Sequence, residues 1–535
     1  MMSRLLMLLL GAALALAGVS LWLGRATPEA PLVVPTVRHV APPNPSAPKA
    51  QAVAADTAKP AAPKDHFGQI HEADRIGDPM QRCVAIPPPP DYHWSKEMLE
   101  AFCADELTPT LPWSEFESAI ENGNAASVDA SFDALVEGHF AGRVPEGALR
   151  HAYNDKFWGS SRERKRLIDH WLETNPGSAH AYAARGIWWV ANAEQARGEK
   201  RMSDTPEKDI ERMRDALGKA KRDLGKAIEL NPRIMPAYAA LLHATQYDGD
   251  DALAESTMRK ANEVSPENFY PRAALAYARR PQWGGSFEAM DRIADDAAPY
   301  LAKNPRLANL KAIALSERAM ATYWARRYPD ALRQFDKGLA YGPEWFYLDM
   351  ARYAAFSAGD PSHEVEFLSQ MLRFSPWATE TRRLRADALR RLNRDAWAEE
   401  DLDAVLTANP RDTSAIQTYI SLLIHRGSNE RAELKLKQLI GADPHDRWAN
   451  VTLAWLYANR MKRFPEAAAI IDPLLAKEPE SGELWLLRVQ LLHASGDAPG
   501  MREAVDKFLR YADQTSPMQR DALPDVKNWL AAHPH

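Results

Sequence analysis

The chain is short of cysteine, of basic excess and of long apolar runs, and each shortage removes a class of protein. Two cysteines among 535 residues cannot build a disulfide-dense scaffold or a cysteine zinc cluster. A net charge of −6 supplies no basic surface, so nucleic acid is not expected as a partner. A mean hydropathy of −0.43 is too low for a polytopic membrane protein. Enzyme signatures are missing too: there is no His-Glu-x-x-His, Walker loop, Gly-x-Gly-x-x-Gly or Gly-x-Ser-x-Gly. His363-Glu364-x-Glu366 lacks the second histidine of a zinc motif. His151, His170 and His180 are spaced by nineteen and ten and share no helix face. Cys83 and Cys103 stand too far apart for a Cys-x-x-Cys redox pair. No catalytic residue, cofactor or metal is expected.

One long apolar run is present, at the N-terminus. Leu5 to Leu23 carries no charge and is flanked by Arg4 and Arg25; at 1.5 Å per residue it spans about 28 Å, close to a bilayer core. Residues 1–25 therefore read as a signal anchor. The alternative is a cleaved signal peptide, with Ala15-Leu16-Ala17 as the small-x-small site. The short head stays inside, so the expectation is a single-pass inner-membrane protein with a periplasmic bulk, or a soluble periplasmic protein if the signal is cleaved. Residues 26–65 are rich in Pro and Ala and form a disordered tether. Residues 66–145 read as a small helical region containing Cys83 and Cys103. An oxidising compartment would join that pair; otherwise they are two buried thiols.

Prolines then punctuate the chain: Pro176, Pro232, Pro266, Pro305, Pro343, Pro376, Pro410, Pro444, Pro479 and Pro517, at intervals of 56, 34, 39, 38, 33, 34, 34, 35 and 38. Proline cannot continue a helix, and two helices with tight turns consume about 34 residues. Twelve residues before the closing proline stand Ala220, Ala254, Ala331, Ala398, Ala432 and Ala467. Eight before it stand Leu224, Met258, Phe335, Leu402, Leu436 and Ile471. The alanine lets the second helix approach its partner closely. This pattern resembles the tetratricopeptide repeat, and Tyr328 to Phe335 is similar to that family's second helix almost throughout. The resemblance implies an all-α fold, a right-handed α-solenoid of helical hairpins whose inner groove binds a segment of another protein. The generic repeats cover 306–517, and 518–535 reads as a capping helix and tail.

Unequal intervals place insertions. The excess of the 56-residue unit falls at about 189–214, as a lengthened helix hairpin, and that of the 39-residue unit at Pro281-Gln282-Trp283-Gly284-Gly285-Ser286. With Ala183-Ala184-Arg185-Gly186, this turn resembles the Trp-Gly-Gly-Ser signature of a bacterial domain-of-unknown-function family fused to tetratricopeptide repeats. Gln282 stands where that family has a basic residue. The resemblance covers roughly residues 80–305, with 146–305 as the family-specific repeats, and implies no known activity. Structurally, the glycines permit positive φ and Ser286 caps the next helix. Functionally, Trp283, Gly284, Gly285 and Ser286 form a candidate notch with a stacking face and an anion-attracting helix start. An envelope enzyme or a glycan-binding module built from the 189–214 insertion and this turn is the alternative to a non-catalytic scaffold.

The candidate partner-binding residues lie further on. Thr381 to Arg394 is arginine-rich, and Arg383, Asp387, Arg390 and Arg391 fall on groove-facing positions of a first helix. Such a cluster suits an acidic protein segment; the plain alternative is a solvated face with pairs to Asp387 and Glu399. The following repeats add Gln417, Ser421 and His425, then Trp448, Thr452, Trp455 and Asn459. Trp beside polar groups fits a hot spot.

Overall fold

The computed structural model describes residues 65–198 and 202–533. The expected anchor and nearly all of the Pro/Ala-rich stretch lie outside the described residues. Every regular element among the described residues is helical, and none is long and apolar enough to cross a membrane. Contacts divide them into two units, meeting between Thr381 and Arg382.

The first unit opens with α1 (His66–Asp74), α2 (Pro79–Ala85), α3 (Lys96–Leu107), α4 (Trp113–Glu121), α5 (Ala125–Phe140), α6 (Glu146–Phe157) and α7 (Arg162–Thr174). Hairpins follow: α8 (Ala179–Arg197) with α9 (Glu207–Leu230), α10 (Met235–Asp248) with α11 (Asp251–Val264), α12 (Phe269–Ala278) with α13 (Phe287–Ala297), α14 (Asn309–Trp324) with α15 (Tyr328–Leu339), and α16 (Trp345–Ala358) with α17 (Pro361–Phe374). The 22-residue excess lengthens both α8 and α9.

In the second unit α18 (Thr379–Arg391) pairs with α19 (Asp395–Ala408), α20 (Thr413–His425) with α21 (Asn429–Ala442), α22 (Arg447–Leu456) with α23 (Phe464–Lys477), and α24 (Gly482–Ser495) with α25 (Ala498–Tyr511). The last helix is α26 (Pro517–Ala532). It lays Val526, with the half-buried Trp529, against Val505 and Phe508 of α25.

Local sequence sets these boundaries twice over. A proline stops one hairpin, and two residues later a polar side chain starts the next. Ser178 Oγ accepts from Ala181 N at 2.9 Å, Asp412 from Ala415 N at 2.9 Å, and Asp446 from Ala449 N at 2.9 Å. Pro517 is different, since it begins a helix rather than following one. The marker alanines Ala220, Ala254, Ala331, Ala398, Ala432 and Ala467 are all at most 1% exposed. Leu224, Phe335, Leu402, Leu436 and Ile471 are fully buried beside them, whereas Met258 is only half-buried.

At the Ala-marker position of α17 stands Glu364, and the helix is buried from there to Phe374. The cause is the N-terminal region, which docks on it. Cys83 and Cys103 are joined in a disulfide linking α2 to α3. Arg373, wholly buried, donates to the carbonyls of Cys83, Ile86 and Pro87 and to Gln370 Oε1. Arg82 donates back to Leu372 O at 3.0 Å, Trp94 Nε1 to Leu339 O at 2.7 Å, and Tyr92 Oη to Asp336 at 2.7 Å.

Candidate functional site

In the second unit the arginine cluster is largely neutralised from within. Asp387 accepts from Arg390 at 2.9 Å and pairs with Arg391 at 3.3 Å. Burial would raise the Asp387 pKa, but Arg390 and Arg391 outweigh it and hold the carboxyl below its usual range. Arg382 and Arg385 share Asp401, and Arg383 donates to Thr418 Oγ1 at 3.4 Å. Glu399 takes Arg426, from the next hairpin. Arg390 and Gln417 are buried, Arg383, Asp387 and Arg391 are half-buried, and His425 is exposed. The expected open cationic face is thus a set of ion pairs, because acidic residues of α18 and α19 reach the same guanidinium groups. Further on, Trp448 and Trp455 lie seven residues apart on α22, half-buried against Leu453 and its neighbours. Asn459 Nδ2 donates to Trp455 O at 3.1 Å.

In the first unit the Pro281–Ser286 turn is built as the glycines suggest, with separate duties. Gly284 takes φ +87°, while a side chain at Gly285 would collide with the Arg279 carbonyl. Ser286 Oγ accepts from Ala289 N at 3.2 Å. Trp283 does not offer an open stacking face. Arg197, at the end of α8, sits 4.8 Å from its ring centre, and Tyr247 of α10 meets it edge-on at 5.6 Å. The turn therefore ties the lengthened hairpin to the repeats.

Beside it lies a cavity that the sequence did not single out. It is framed by α6, α10 and α12, with Phe346 of α16 closing it. Leu149, Trp158, Met235 and Ala240 give it apolar walls, and Arg150, His243, Gln246 and Arg280 give it polar points. Burial, and next the Arg280 charge, depress the His243 pKa to about 4, so its imidazole is neutral at pH 7. Its ring lies 5.1 Å from that of Trp158. Glu146 is held by Phe269 N at 3.0 Å, Asn304 at 2.8 Å and Arg306 at 3.2 Å. Burial nevertheless raises its pKa to about 7. Tyr277 Oη donates to Glu344 at 2.6 Å. His243 and Gln246, three apart in the otherwise mostly apolar Leu241–Gln246 stretch of α10, were the available signal.

The histidines do not converge: His180 bonds Tyr153 and Asp133, while His151 pairs with Glu106 and Asp155. The carboxylates of Glu117, Glu121 and Glu163 lie close together, but Arg166 bridges the last two and accounts for their approach.

The tetratricopeptide-repeat family model matches residues 423–491, from the end of α20 into α24. Such repeats commonly mediate protein–protein interaction. No curated protein matches the chain. Among solved structures, a tetratricopeptide repeat protein from Parabacteroides merdae is 17% identical, covering 54% of this chain and 99% of its own with a TM-score of 0.36. The P58(IPK) TPR domain is 13% identical, covering 76% and 98%, with a TM-score of 0.24. The Cut9–Hcn1 hetero-tetramer of the APC/C is 11% identical, covering 86% and 92%, with a TM-score of 0.31.

Proposed function

We propose that the protein is a non-catalytic scaffold of the bacterial cell envelope that captures a segment of another protein on the first helices of its second unit. The carrying observation is the pair Trp448 and Trp455. Both are half-buried aromatics on one helix within the stretch matching the tetratricopeptide repeat, so each still offers ring surface to a partner. A pre-folded repeat surface lowers the ordering cost of binding. With the arginines paired internally, the aromatics supply affinity, and the exposed His425 tunes the preference for an acidic segment. The apolar Leu5–Leu23 run supports tethering to the inner membrane and so an envelope location.

The test is capture of the cellular partner by full-length protein. Trp448→Ala with Trp455→Ala should reduce recovery at least tenfold with the fold intact by circular dichroism. Undiminished recovery overturns the assignment of this face. Deleting residues 1–25 should release the protein from the membrane fraction, and an unchanged distribution contradicts the tether.

A further inference from the structure

Arg280 is a deeply buried arginine of the first unit. It is only 3% exposed and stacks on the Tyr277 ring at 5.1 Å, yet among the described residues its side chain makes one hydrogen bond, from Nε to the Tyr277 carbonyl at 3.1 Å. No carboxylate among the described residues pairs with it. Elsewhere in the unit Arg82 meets Asp74, Arg306 meets Glu146 and Asp105, Arg352 meets Asp349, and Arg373 meets backbone carbonyls. The nearby buried Glu317 feels the Arg280 charge, which draws its pKa down against burial, but its carboxylate is taken by Tyr347, and the guanidinium lines a cavity. Gln246 is 6% exposed and lines the same cavity. Its amide oxygen, an acceptor, cannot serve an anion, but its amide nitrogen is a donor, as are the terminal nitrogens of Arg280. The cavity thus presents donors from two side chains, each more than nine-tenths buried.

The surroundings narrow the chemistry. Arg150, set over the Tyr270 ring at 5.1 Å, adds a second positive charge. Glu146 is engaged by Phe269, Asn304 and Arg306 on its own side, and Glu344 by Tyr277 and Asn309. The balance favours a monoanion, since a phosphate dianion would meet these two carboxyls. The cavity measures about 60 Å³. A single water needs roughly 10–15 Å³ of such space, so only a handful of heavy atoms fit. Leu149, Trp158 and Ala240 leave the remainder apolar.

We infer that this cavity is a binding site for a carboxylate on a short apolar stem, with Arg280 as its counter-charge and Gln246 donating through its amide nitrogen. The carboxylate belongs either to a small free acid or to a peptide, by its C-terminus or an acidic side chain. The site lies in the first unit and does not depend on partner capture by the second.

The experiment is calorimetric titration of the full-length chain in mild detergent with butanoate, butanamide, acetyl-Gly-Gly-Val, its C-terminal amide, and acetyl-Ala-Glu-Ala-amide. Acids should bind at least tenfold more tightly than their amides. Arg280→Gln should lose that discrimination with the fold intact by circular dichroism, since it removes the charge while keeping an amide donor. Arg280→Lys should retain part of it, and Gln246→Leu should weaken acid binding about threefold. Tighter binding of butanoate assigns a free acid, and tighter binding of either acidic peptide assigns a peptide source. Equal binding of acids and amides, no binding of any carboxylate by the folded protein, or unaltered affinity in a folded Arg280→Gln overturns the site.

Discussion

The two units bury charge differently. In residues 65–381 ionic groups sit deep at many places: Arg82, Asp105, Glu146, Arg280, Arg306, Glu344 and Arg373 are all under 9% exposed. In residues 382–535 the described buried charges are Arg385, Arg390 and Asp401, and the core is otherwise built from Leu, Ile, Ala and aromatics. The difference follows the sequence period. Where the hairpins keep to about 34 residues, small and apolar side chains satisfy one another. Where the chain inserts or doubles back, polar groups are carried inside and must find partners, as Arg373 does in full and Arg280 only through Nε.

The contrast can be broken most forcefully at Arg373. Arg373→Ala takes the side-chain donor from the Cys83 and Ile86 carbonyls, while Pro87 keeps Gln370, and should destabilise the first unit by about 3 kcal/mol or more. Arg447→Ala, which removes exposed pairs to Glu478 and Glu483 in the second unit, should cost under about 1 kcal/mol. Hydrogen exchange read separately in each unit checks both. Replacing Cys83 and Cys103 with Ser should cost about 3 kcal/mol, again confined to the first unit by the same readout.

The apolar unit has its own weak point. Ala432→Leu forces a larger side chain into a fully buried helix contact and should cost about 1–3 kcal/mol. Leu434→Ala, at a site 59% exposed two residues on, should stay within about 0.5 kcal/mol. Denaturant midpoints of the two variants test the register directly.

The smallest effect is a pH response. His243 has its pKa depressed to about 4 from 6.5, so between those values the unfolded chain binds more protons than the folded one. The contribution of His243 to stability therefore falls as pH falls through this window, while that of Glu146, raised to about 7, rises. Relative to the parent, His243→Gln should gain melting temperature between pH 7 and 4.5; an identical pH profile contradicts the assignment.

Much of the second unit was legible because its determinants are local. Pro410 and Pro444 stop helices, Asp412 and Asp446 restart them, and Ala398 and Ala432 mark the close contacts, all within one repeat. The ion pairing of Arg385 with Asp401 was not foreseen, since the residues lie on different helices and neither carries a periodic signal. The dock of Cys83 on Arg373 was hidden for the same reason at a separation of 290 residues. The cavity was hidden because α6, α10 and α12 each contribute only two or three polar groups, which reads as noise in any one helix.

Photo-crosslinking in cells tests the central claim most directly. A benzoylphenylalanine replacing Trp448 or Trp455 on α22 should give a discrete adduct with one partner protein. The same group replacing Leu434 on the second helix α21 should give none. Adducts from position 434 with none from 448 or 455 would contradict recognition through the first helices.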